Sequence, residues 1–136
     1  MTETETRALA TRGAANLDTL RPGWHIELAD KPLRIDDSTK CVVGWLVPGV
    51  SWESGCNILG FCVGFISNPL THPMSPWMNG LGGPPVQLVT KSDKYIYHHY
   101  AILQLQWEIE IASRLAADAA TISAETEPVE QEVLVS

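Results

Sequence analysis

Residues 93–115 read DKYIYHHYAILQLQWEIEIASRL. Ile96, Tyr100, Leu103, Trp107, Ile111 and Leu115 step by three and four, the interval that lines side chains along one face of an α-helix. A second row, Ile102, Leu105, Ile109 and Ala112, widens that face and predicts burial on more than one side. Asp93 is a residue type that caps helix starts. A helix this apolar needs other helices around it. The expected fold class is therefore mainly α: a small single domain of three to four helices, with a long Pro/Gly-rich loop and at most one short strand pair.

Upstream of this helix, Ser67–Pro85 holds five prolines and three glycines in nineteen residues, which leaves little room for regular structure. Val86–Val89 alternates weakly and Phe61–Ile66 (FCVGFI) is β-branched and aromatic; these are the two strand candidates. A loop so long in a small domain is a candidate working part. Its prolines stiffen it in advance, so presenting Leu70, Met74, Trp77 and Met78 to a protein partner loses little entropy. Tryptophan and methionine are enriched at contact surfaces, which makes these four the expected partner-binding residues, with Trp77 as anchor. The opposing expectation is that Trp77 folds back as a lid.

Towards the start, Glu3–Leu20 reads as the first helix, with Thr2 or Thr4 as cap and Glu3 and Glu5 at the positive end of its dipole. Pro22-Gly23 ends it, and Trp24 and Leu28 share one face of a short second helix. Lys31-Pro32 breaks that one. Asp36, Asp37 and Ser38 are the cap candidates for a third helix through Cys41–Leu46, stopped by Pro48-Gly49. Ser51 opens a fourth segment that ends near Gly60. After Ala120 the apolar period is lost in ETEPVEQEVLVS. The expected organisation is one globular domain over 1–120 and an acidic disordered tail over 121–136.

Gly13-Ala14-Ala15 with Leu17-Asp18, Pro22-Gly23-Trp24, Cys41-Val42-Val43-Gly44, the Gly60-Phe61 or Gly64-Phe65 pair and the Tyr100, Leu103, Trp107 spacing form a pattern. It resembles a group of short uncharacterised proteins of actinobacteria and the phages that infect them. The resemblance covers roughly Arg12–Phe65 and Tyr97–Ile111. This chain departs from it at Trp45 and in the Ser67–Pro85 insertion. The resemblance implies a phage or prophage origin and carries no catalytic residue with it.

The chemistry-bearing residues do not form a recognised constellation. Cys41, Cys56 and Cys62 lack C-x-x-C spacing, and a zinc site would have to draw His98 or His99 from far along the chain. The expectation is three buried, reduced thiols and no metal. His98 and His99 are helix neighbours about a hundred degrees apart, so they do not serve one substrate atom from one face. Ser51, Ser54 or Cys56 with His98 and Asp93 makes a list and not a triad. Asp36-Asp37 suits a helix start, and Glu108 and Glu110 suit a solvated face. The Gly80–Pro84 run lacks the Lys-Ser/Thr of a phosphate loop. The expectation is thus no catalytic residue, no cofactor and no enzyme activity.

Sixteen acidic against nine basic residues give a net charge of −7, which argues against nucleic acid as partner. Cys41–Ile66 carries one formal charge in 26 residues, but Pro48-Gly49 splits it into runs too short to span a bilayer, and Glu53 and Asn57 are costly in lipid. The start of the sequence has no apolar signal-peptide core. The expected role is a small non-enzymatic phage or prophage protein in the host cytoplasm, acting through protein–protein contacts with a host or phage protein or with its own copies. The alternatives are a virion-associated minor structural protein and, third, a small membrane-associated phage protein.

Overall fold

In a computed structural model, which describes residues 2–63, 72–82 and 93–135, α1 spans Glu3–Leu20. The Thr2 hydroxyl accepts from Glu5 N–H at 3.1 Å while the Glu5 carboxylate accepts from Thr2 N–H at 3.4 Å. This reciprocal box satisfies donors that the first turn leaves open. Gly23 then takes a left-handed φ of 84°, a conformation cheap only without a Cβ, and α2 (Trp24–Leu28) begins. Two further short helices follow: α3 (Val42–Leu46) and α4 (Trp52–Leu59). Ser51 caps α4 at 3.2 Å, and Gly60 closes it at φ 107°. The long α5 runs Asp93–Val135.

Five α-helices and one 3-10 turn (Trp77–Asn79) make up the regular structure of the described residues, so the chain is mainly helical with more helices than expected. α2 and α3 are each only five residues long. Of the strand candidates, Phe61–Val63 carry no strand, and the remaining residues lie outside those described.

α3 is not capped by Asp36, Asp37 or Ser38. Its cap is the Cys41 sulfur, which accepts from Gly44 N–H at 3.4 Å. Asp37 is consumed earlier, accepting from the Thr39 N–H at 2.9 Å and the Thr39 hydroxyl at 2.7 Å. An aspartate that closes its own turn has no lone pair directed at the next helix.

The core forms where α5 lies along α1, with α2 against α5 and the α3–α4 pair behind α2. Leu103, Trp107 and Ile111 are buried as the first apolar row predicts, while Ile96, Tyr100 and Leu115 are half-buried. The second row is corrected: Ile102 is buried, but Leu105 is 52% and Ile109 51% exposed. No described element covers that side, and apolar spacing reports the shape of a face and not what lies against it. α5 itself continues through 121–135, over most of the stretch read as an acidic tail. Residues 116–127 keep helix-forming Ala and Glu after they lose the apolar period, and propensity favours helix up to Pro128.

The segment expected to be an open loop is instead packed. Its described part, 72–82, lays the Trp77–Asn79 turn on α1. Gly13 makes this approach feasible: a Cβ there would collide with the Asn79 carbonyl and touch the Trp107 ring. Gly80, at φ 63°, sits equally close to the backbone of Ala10. The fully buried Asn79 amide donates to the carbonyls of Pro73 at 2.9 Å and Ser75 at 2.8 Å, and accepts from the Asn16 amide at 2.6 Å. Trp107 closes the joint by donating its indole N–H to the Gly80 carbonyl at 2.8 Å. The Trp77 ring lies on His99 at 5.1 Å and 11°.

Two outcomes follow from this joint. Gly13→Ala should destabilise the protein by about 1–3 kcal/mol, as overpacking does, read by urea or thermal melting; an unchanged melt would show that the turn is not seated on α1. Burial pushes the His99 imidazole down to about 4, with a hydrogen bond to the Gly82 backbone acting the other way. The unfolded chain takes up this proton near pH 6.5, so His99 contributes its full stability above that pH and loses it as pH falls towards 4. The loss should be on the order of 2–3 kcal/mol, and His99→Phe should flatten stability against pH across that window.

Candidate functional site

Trp77, the expected partner anchor, is only 5% exposed and belongs to the core. Met74 and Met78 are half-buried and pack against the same cluster, and Leu70 lies outside the described residues. Prolines stiffen a loop, but Gly13 and Ala10 on α1 admit the backbone of Asn79 and Gly80, and the Trp77 indole gains burial stacked on His99. Trp77 is therefore not on offer as a contact side chain.

The thiols and histidines are likewise dispersed. Cys41 and Cys56 are buried and Cys62 half-buried, all three unpaired. Burial pushes the Cys41 thiol above its usual range, and burial together with the neighbouring Cys41 pushes Cys56 up to about 12. Such thiols are neither nucleophiles nor ready metal ligands. His98 is exposed whereas His99 is buried. Among the described residues no three His, Cys, Asp or Glu side chains lie close enough to hold a metal ion. Ser51 caps α4 and its hydroxyl bonds Ser54 at 2.9 Å, with no hydrogen bond to His98 among the described residues.

The densest polar cluster joins α1, α2 and α5. Arg114 forks onto Asp18 at 2.9 and 2.8 Å and reaches Glu110 at 2.9 Å. Its guanidinium lies 5.3 Å over the Trp24 ring, and Trp24 donates its N–H to the same Asp18 at 2.9 Å. The Arg114 fork holds the Asp18 carboxyl below its usual range despite partial burial. For Glu110 burial acts upwards, but hydrogen bonds from Arg114, Thr11 and Gln106 outweigh it. His25 adds a 2.7 Å bond to Asp118 further along α5. These carboxylates are already committed to partners, so the cluster latches helices together and offers little for substrate chemistry.

Residues 29–36 run beside α5 as a strap. Gln104 stitches it down: its amide N–H donates to the Leu33 carbonyl at 2.8 Å and its oxygen accepts from Ile35 N–H at 2.9 Å. Two depressions of about 350 and 450 Å³ open along this seam and share Leu33 and Arg34 as walls. The first reaches Tyr97, Tyr100 and Ala101; the second is floored by Leu28, Ile111 and Leu115, with Lys31 and Glu108 at its edge. Tyr97 is 72% exposed. The groove is thus apolar below and mixed in charge along its rim, where Lys31 and Arg34 stand with Glu108 and Asp36 and Arg34 is paired with Asp36 at 3.1 Å. It suits an apolar segment with polar flanks. Sequence reading missed it. The only signal was Gln104, a polar residue interrupting the apolar face.

Native protein should show no alkylation of Cys41 and Cys56 by iodoacetamide at pH 8, with full labelling after denaturation, read by mass spectrometry. Labelling of either thiol in the folded state would overturn its placement in the core. No protein-family model, curated protein or solved structure matches this chain.

Proposed function

We propose that this protein is non-enzymatic and acts by protein–protein contact, through the groove between α5 and the 29–36 strap. One observation carries this reading: a partly apolar groove with a rim of mixed charge borders exposed Tyr97, Leu105 and Ile109 on a single helix. Large apolar side chains gathered on one exposed face mark contact surfaces more than they mark ordinary solvated ones. The resemblance of the sequence to short actinobacterial and phage proteins supports a phage or prophage setting for that contact. No helix among the described residues is long and apolar enough to cross a membrane.

A photo-crosslinking residue placed at Tyr97 should yield protein adducts in cells. The same residue at Ile58, exposed on α4 and far along the chain from the groove, should yield few. Equal yields at the two positions would overturn the assignment of the contact surface.

A further inference from the structure

We propose that Asn79-Gly80 is a site of spontaneous deamidation that the fold keeps masked, so that an opening of the 72–82 segment is made permanent by covalent change. It is the one asparagine followed by glycine in this sequence; Asn16, Asn57 and Asn68 precede Leu17, Ile58 and Pro69. In such a pair the Gly80 amide nitrogen attacks the side-chain carbonyl carbon of Asn79. A C–N bond closes a five-membered succinimide, and the side-chain nitrogen leaves as ammonia with the proton given up by the Gly80 nitrogen. Water then opens the ring to aspartate or to isoaspartate, whose backbone runs through the side-chain carbon. Water is the only co-reactant, and glycine presents no Cβ to hinder the attack.

The folded chain bars the first step. Asn79 is fully buried, and its amide nitrogen donates to the carbonyls of Pro73 at 2.9 Å and Ser75 at 2.8 Å while its oxygen accepts from the Asn16 amide at 2.6 Å. The Gly80 nitrogen is held as well, donating its proton to the Trp77 carbonyl at 3.2 Å. The attack needs that nitrogen without its proton and the peptide turned out of helical geometry, whereas Asn79 is the last residue of the 3-10 turn. Trp107 pins the Gly80 carbonyl at 2.8 Å, and the backbone of Ala10 on α1 lies close against Gly80. The peptide cannot turn until the joint lifts.

The products do not fit where the asparagine did. An aspartate carboxylate accepts hydrogen bonds and donates none, so the Pro73 and Ser75 carbonyls would lose their donor and face a buried negative charge. Isoaspartate inserts a further backbone carbon where Gly13 leaves room only for the Asn79 carbonyl. Either product takes the turn off its seat on α1. The reaction therefore runs through the opened chain, at a rate set by how often the joint opens. Each event removes one molecule from the folded population for good.

The full chain is held at pH 8 with reductant, native in one arm and in urea in the other, and residue 79 is followed by peptide mass spectrometry. The native arm should convert at least tenfold more slowly than the urea arm. Trp107→Phe, which keeps a ring in the core but removes the bond to the Gly80 carbonyl, should raise the native-arm rate at least threefold. Refolding reads the other half of the proposal. The urea arm is stopped when half of the chains have reacted, then diluted and treated with protease. Deamidated chains should be depleted at least tenfold among those that resist digestion, judged against unreacted chains from the same tube. Asn79→Asp, made directly, should melt at a lower temperature than the parent chain. Equal conversion in the two arms, a resistant fraction as rich in deamidated as in intact chains, or an unchanged melt for Asn79→Asp overturns the proposal.

Discussion

The absence of a side chain at Gly13 is the constraint on which the rest of the structure leans. It lets the carbonyl of Asn79 come down onto α1. That contact puts the Gly80 carbonyl where the indole of Trp107 can bond it, and puts Trp77 flat on His99. Trp107 in turn meets Trp24 edge to face at 5.6 Å, so a single joint ties α1, the 3-10 turn, α2 and α5. Burying the polar atoms of Asn79 and two indoles would be costly without partners, and here each finds one. Specific hydrogen bonds therefore select the arrangement that apolar burial stabilises.

Outside that joint the chain uses charge to orient helices. Arg114 bonds two carboxylates and covers an indole, joining α5 to α1 and α2 at one point. Gln104 works about 80° round the helix from Arg114, holding backbone on both sides of Arg34 as a neighbouring strand would. Neither device reaches the exposed Leu105, Ile109, Ala112 and Ala116, and there an apolar surface faces water.

Local signals were legible. The Thr2 box, the Ser51 cap, the stop at Gly60 and the limits of α1 all follow from residue types at short range, and the structure has them there. The apolar row through Leu103, Trp107 and Ile111 was legible for the same reason, as a period of one helix. What the sequence did not reveal depends on distant pairs. Nothing near Trp77 says that a glycine more than sixty residues earlier leaves room for its turn. Leu105 and Ile109 look like core by spacing, and only the absence of a covering element makes them surface. The groove is invisible for a similar reason, since its walls meet only when Gln104 reaches the strap. Cys41 shows a further limit, because a thiol took the cap while Asp37 closed its own turn and Asp36 paired with Arg34.

The pairing of α1 with α5 joins opposite ends of this sequence, and that has a bearing on synthesis. Residues that pack against Leu9, Ala14 and Leu17 lie about ninety positions later, around Leu103–Ile111. At roughly 5–20 residues per second a ribosome needs on the order of 5–20 s to deliver them. Throughout that interval α1 must remain harmless without its partner. Its composition suits the wait: its buried face is made largely of alanine, glycine and threonine, with only Leu9 and Leu17 large and apolar. A nascent helix built this way presents little for other chains to stick to. The same sparseness makes the mature contact depend on close fit rather than on bulk.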